Sequence, residues 1–141
     1  MEAKDIMIGD LVKTNTNWPK KLREIICRIT NVGDNYIAST AINNPEINPY
    51  GNSVSFCPIP LTEEILRKNG WEYNGKDAKF FPETWVGGGL KLQNADDGGY
   101  CIVVTSDYDD EDTNSTPFIL HYVHELQHTL RLCGIEKEIE L

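Results

Sequence analysis

Pro60-Leu61-Thr62-Glu63-Glu64-Ile65-Leu66-Arg67-Lys68-Asn69-Gly70-Trp71-Glu72-Tyr73-Asn74-Gly75-Lys76-Asp77-Ala78-Lys79-Phe80-Phe81 changes period half way along, and that change decides the fold class. Its first half carries the signals of a short helix. Thr62 can cap the N-terminus, Glu63 and Glu64 complement the positive end of the helix dipole, Arg67 and Lys68 complement the negative end, and Gly70 stands past the stop. In its second half, Trp71-Glu72-Tyr73 and Ala78-Lys79-Phe80-Phe81 flank Asn74-Gly75, the pair that best accommodates the positive φ angles of a hairpin turn. A helix that runs into an antiparallel hairpin predicts an α+β fold.

Upstream, Ile6-Met7-Ile8-Gly9-Asp10-Leu11-Val12-Lys13 places a Gly-Asp turn in an alternating apolar segment, as at the start of a small barrel. Residues 22–30 (LREIICRIT) and 35–40 (NYIAST) read as strands joined across Asn31-Val32-Gly33-Asp34. The first forty residues are therefore expected to form a β meander, small-barrel-like. Residues 41–53 (AINNPEINPYGNS) are crowded with Asn, Pro and Gly and read as an irregular surface loop, with a short strand over 54–58 leaving it.

Downstream, residues 84–86, 90–93 and 100–105 continue the antiparallel sheet. After the acidic run 107–112, Thr116 can cap and Pro117 can open a C-terminal helix that Gly134 stops. Ile119, Val123, Leu126, Leu130 and Cys133 recur at three and four residues, which gives that helix an apolar stripe to pack on the sheet. The predicted organisation is one domain over residues 1–141, or two packed halves: a β meander over 1–60, then helix, sheet and C-terminal helix over 61–141.

Size, charge and cysteines bound the function classes. A chain of 141 residues, 40% of them hydrophobic, can bury one ordinary core. The N-terminus lacks the basic and apolar regions of a secretory signal, and no apolar run reaches bilayer length, so a cytoplasmic, non-membrane protein is expected. Cys27, Cys57, Cys101 and Cys133 form no Cys-x-x-Cys pair and read as free thiols beside apolar neighbours. The net charge is -9, and between Leu92 and Leu130 there are eight acids and no Lys or Arg. Nucleic-acid affinity rests on neutralising phosphates, so direct nucleic-acid binding by the C-terminal half is disfavoured. A basic protein partner for the acidic stretch from Asp96 to Asp112 fits better. Asp107-Tyr108-Asp109-Asp110-Glu111-Asp112 has the alternating acids of a calcium loop but neither its Gly nor its final Glu. Gly87-Gly88-Gly89 lacks the Lys-Ser/Thr of a phosphate loop, and Trp18, Trp71 and Trp85 read as core or edge aromatics or a ligand patch.

One string carries catalytic chemistry. His124-Glu125-Leu126-Gln127-His128 matches His-Glu-x-x-His, in which two histidines four apart bind zinc from one helix face and the Glu polarises the attacking water. On the predicted helix, His121, His124, Glu125 and His128 fall on one face, opposite the apolar stripe. The third ligand of the extended motif is missing: the positions that would hold Gly and His are Arg131 and Gly134. Two readings follow. In the first, the histidines lie on a solvated polar face, there is no cofactor, and the chain is a non-enzymatic interaction protein. In the second, it is a zinc-dependent peptidase with Glu125 as base, His124 and His128 as ligands and His121 as a third.

Residues 6–12 (IMIGDLV), residues 58–66 (PIPLTEEIL) with Asn69-Gly70-Trp71, and residues 122–128 (YVHELQH) resemble, in this order, a family of short uncharacterised proteins. These are encoded by gut bacteria of the Bacteroides type and by their phages and mobile elements. The resemblance spans the chain and implies an accessory protein without a known activity. Glu125 and His128 stand where that family's pattern often has Gln and Asn. The resemblance thus implies that the string is a helix-packing motif built on Tyr122-Val123 and Leu126.

Overall fold

A computed structural model describes residues 1, 3–83, 85, 88–106 and 109–141; for residues 3, 104–106 and 109–118 it describes the backbone alone. The fold is α+β: the described residues form two antiparallel five-stranded sheets and two α-helices. The strands are β1 (Leu11–Thr14), β2 (Ile26–Val32), β3 (Ile37–Ala41), β4 (Tyr50–Gly51) and β5 (Phe56–Pro58), then helix α1 (Glu63–Lys68). They are followed by β6 (Glu72–Tyr73), β7 (Asp77–Phe80), β8 (Gly89–Asn94), β9 (Tyr100–Ser106), β10 (Asp109–Leu120) and helix α2 (Val123–Leu132). Contacts divide the chain into one unit of Met1–Ile59 with Tyr122–Gln127 and another of Pro60–His121 with His128–Leu141. No helix among the described residues is long and apolar enough to cross a membrane.

In the first unit the strand order is β4-β3-β2-β1-β5, an open meander with β4 and β5 at its edges. Alternation sorts its side chains: Ile37, Ser39 and Ala41 of β3 are buried while Ala38 and Thr40 are half-buried, as a one-sided sheet requires. Ile6, Val12, Cys27, Ile29, Ile37, Ala41 and Phe56 make the core. Burial pushes the Cys27 thiol up, and all four cysteines are free. The expected first strand begins later than its apolar pattern, at Leu11, because Gly9 turns the chain with φ 91° and leaves Met7 and Ile8 exposed. Within the irregular loop the structure adds β4, and a 3-10 turn at Ser53–Ser55 then leads into β5.

In the second unit the order is β10-β9-β8-β7-β6. Helix α1 forms as its end signals require: the Thr62 hydroxyl oxygen accepts from the Ile65 N–H at 3.3 Å, and Gly70 takes φ +83°. Trp71 is buried and lies against the Phe80 ring at 5.2 Å. The β6–β7 turn is centred on Gly75 and Lys76 rather than on Asn74-Gly75. The cause is Asn74: its N–H donates to the Asp77 carbonyl and its side-chain oxygen accepts from Lys76 and Asp77. Of the strand expected at 84–86, Thr84 and Val86 lie outside the described residues, while Trp85 is in no strand and its N–H donates to the Pro82 carbonyl at 3.1 Å. Gly87 of the glycine triplet, and Asp107 and Tyr108 of the acidic run, also lie outside the described residues.

The C-terminal helix begins at Val123, not at Pro117. Residues 109–120 pair with β9 instead, and the register slips between Ser115 and Ile119. Thr116-Pro117 therefore imitates a helix start, but β10 is an edge strand, where a proline without an N–H is tolerated, most easily at a bulge. This shift removes Ile119 and His121 from the helix.

Candidate functional site

Each letter of the His-Glu-x-x-His string has its own surroundings. Tyr122 precedes the first helical residue, and its N–H donates to Glu125 Oε2 at 3.0 Å. That is the reciprocal half of a capping box, in which the third helical residue reaches back to satisfy an N–H the helix cannot. The Val123 N–H is taken by the Ile59 carbonyl at 2.9 Å. His124, placed on a solvated face by sequence reasoning, is instead buried, with 4% of its surface exposed. Its ring stacks on that of Tyr122, centroids 5.8 Å apart and planes 12° apart. Leu126 is fully buried. Gln127 is buried too, and it splices the helix to β1: its Oε1 accepts the Leu11 N–H at 2.9 Å and its Nε2 donates to the Gly9 carbonyl at 3.1 Å. His128 is half-buried.

His121 belongs to a different arrangement. Its Nε2 lies 3.0 Å from Asp97 Oδ2, while Asp97 Oδ1 accepts the Gly99 N–H at 3.1 Å. The β8–β9 turn is thereby fastened to the residue that follows β10. The Gly99 N–H first, and then His121, hold the exposed Asp97 carboxyl below the usual carboxylate range. A lowered folded value means that the carboxylate stabilises the fold above its unfolded value, about pH 3.9, and that this contribution fades as pH falls through the folded one. Thermal melts of wild type and Asp97→Asn across pH should show wild type more stable near neutrality, with the gap closing below about pH 4. Among the described residues no group of three His, Cys, Asp or Glu side chains comes together as a metal would need.

Sequence reasoning missed a cleft of about 350 Å³ in the first unit. One wall is the β1–β2 connection, with Asn15, Asn17, Trp18 and Pro19; the other is Tyr50, Asn52, Val54 and Ser55. The walls are laced together. The Asn15 N–H donates to the Ser55 carbonyl at 3.0 Å, Trp18 Nε1 donates to the same carbonyl at 2.6 Å, and the Asn15 amide reaches the Val54 carbonyl. Trp18 leans on Phe56 of the core, ring centroids 6.0 Å apart. Tyr50, 63% exposed, stacks on Tyr36 at 5.4 Å, and Val54 is 67% exposed. Tyr36 can lie back because residue 33 is Gly: a Cβ there would fall 2.2 Å from the ring. Open clefts of this size with aromatic walls and a few polar groups are where proteins bind ligands. The available signal was local: Asn17-Trp18-Pro19 and Asn48-Pro49-Tyr50-Gly51-Asn52 put aromatics among turn formers, where a core would not want them. Of the three tryptophans, Trp18 lines the cleft and Trp71 is core.

No family model, curated protein or solved structure matches the chain.

Proposed function

We propose that the chain is a non-enzymatic protein-interaction protein of the accessory kind, working in the cytoplasm, that takes a segment of another protein into the cleft of its first unit. The observation that carries this reading is the pairing of rigid walls with exposed apolar surface. The backbone of the cleft is fixed by hydrogen bonds, while Tyr50 and Val54 keep about two thirds of their surface in water. Pre-ordered aromatic surface suits binding, because little entropy is lost when the partner arrives. The resemblance to proteins of phages and mobile elements supports an accessory role. In this reading the acidic composition of the stretch from Asp96 to Asp112 suits a basic protein partner.

A zinc peptidase would need Glu125 free to polarise water and His124 open to a metal. Glu125 is engaged by the Tyr122 N–H and His124 is enclosed.

The test is selection of random displayed peptides on the immobilised full chain, with Tyr50→Ala in parallel. Tyr50 is exposed enough for that variant to keep its fold, checked by circular dichroism. Enrichment on wild type that is lost on Tyr50→Ala is the expected result. No enrichment on either, or equal enrichment on both, would contradict the reading.

A further inference from the structure

The chemistry around the cleft narrows the class of partner. Among the described residues no carboxylate lines it. Pro19, at one end of a wall, leads directly into a 3-10 turn, Lys20–Leu22, in which Lys20 and Lys21 are exposed. Arg23 then folds back, its Nε donating to the Trp18 carbonyl at 2.6 Å. That bond pins a guanidinium beside the tryptophan and leaves its terminal nitrogens available, the geometry that suits a carboxylate. The nearest acid in sequence, Glu24, points its carboxylate at Lys13, 3.9 Å away. The segment that continues from one end of the cleft wall is thus cationic, and the described lining residues themselves are uncharged.

The neutral part offers flat and ridged apolar surface, Trp18, Tyr50 and Val54, together with amides not used by the fold. The Asn17 side chain and the Asn52 Nδ2 donor make no hydrogen bond to the described residues; Asn52 Oδ1 accepts from the Ser55 hydroxyl at 3.0 Å. Aromatic grooves with spare donors take polyproline-type segments well. Their backbone carbonyls are unpaired, their rings stack on aromatic faces, and they arrive already extended.

Resting on the interaction reading above, we infer that the cleft binds an extended, proline-bearing peptide segment with an acidic residue beside the proline. The proline sits among Trp18, Tyr50 and Val54, the backbone is met by the amides of Asn17 and Asn52, and the carboxylate pairs with Arg23, with Lys20 and Lys21 adding attraction. A single-stranded nucleic acid is the less favoured occupant. Its binders line a whole groove with positive charge to follow the phosphates, whereas here the cations stand at one end and the chain carries -9 overall.

The peptides selected on the full chain are resynthesised with a fluorescent label. Each is titrated against wild type, Tyr50→Ala, Arg23→Glu and Lys21→Glu, together with analogues carrying Pro→Ala or Asp/Glu→Asn/Gln. The expected result is a consensus containing proline next to Asp or Glu. Affinity should fall about tenfold or more for Tyr50→Ala, for Arg23→Glu and for the Pro→Ala peptide, the size expected when one well-seated contact is truncated. Lys21→Glu should cost less at moderate salt and more at low salt, as an exposed steering charge does. A basic or proline-free consensus, or Arg23→Glu binding as well as wild type, would overturn the inference while leaving the interaction reading in place. So would Tyr50-dependent binding of a labelled oligothymidylate that is tighter than that of the peptides. Failure to select any peptide would sink both.

Discussion

Gln127→Ala is expected to destabilise the protein by about 1–3 kcal/mol, because the buried Leu11 N–H is left unpaired; the half-buried Gly9 carbonyl keeps the Arg28 guanidinium at 3.3 Å and adds less. The Leu11 N–H and the Gly9 carbonyl lie on either side of Asp10, whose own carbonyl accepts the Ile29 N–H at 2.9 Å. No strand neighbour is placed to replace the amide, and Leu11 has no exposed surface from which water could enter. For a chain of this length the loss corresponds to a fall in Tm of roughly 3–5 °C per kcal/mol. Gln127→Glu separates the two bonds: it retains an acceptor for Leu11 but loses the donor to Gly9 and places a charge in a buried site. It should be at least as damaging at neutral pH and partly recover in acid, where protonation restores a donor. Glu125→Ala, which removes the cap of the Tyr122 N–H, should cost about 1 kcal/mol. Chemical denaturation of the three variants measures the order directly.

Asn69→Ala should have a comparable effect, about 1–3 kcal/mol from the loss of three part-buried hydrogen bonds, toward the C-terminal end of the chain. The side chain of Asn69 is almost fully buried and acts as a clasp. Its Nδ2 donates to the Ile65 carbonyl at 2.8 Å and to the Glu140 carbonyl at 2.7 Å, and its Oδ1 accepts the Glu140 N–H at 2.8 Å. The tail after α2 has no regular structure of its own, yet Ile135 and Ile139 are buried. Opening the clasp leaves their burial to hold the tail against its chain entropy. Faster hydrogen exchange of the Glu140 amide and protease trimming of the last residues should accompany the loss of stability. Unchanged exchange at Glu140 would mean that Ile135 and Ile139 alone suffice.

Local signals were legible in the sequence where a single turn of chain decides the conformation. Thr62, the charges at both ends of α1 and Gly70 act on backbone groups within four residues, and the helix lies where they place it. The alternation of β3 was equally readable. Signals failed where a distant partner competes for the same backbone. Thr116-Pro117 is a sound helix start in isolation, but β9 offers a sheet edge, and the helix yields to strand until Val123. Within the His-Glu-x-x-His string, the place of one residue was hidden for the same reason. The role of Gln127 depends on Gly9 and Leu11, more than a hundred residues away, and no spacing rule within the helix could reveal it. The cleft was hidden because its walls come from segments nearly forty residues apart, joined through Trp18 and Ser55. What the sequence did show was an excess of Asn, Pro and aromatic residues in both segments.

The central claim is that the catalytic-looking string serves the fold and that the chain acts by binding. Zinc content of the untagged protein, compared with that of His128→Asn, tests it most directly. Zinc far below stoichiometric and no different in the variant is the predicted result. Near-stoichiometric zinc in the wild type that is lost in His128→Asn would contradict it, and peptide hydrolysis abolished by Glu125→Ala would then identify the peptidase.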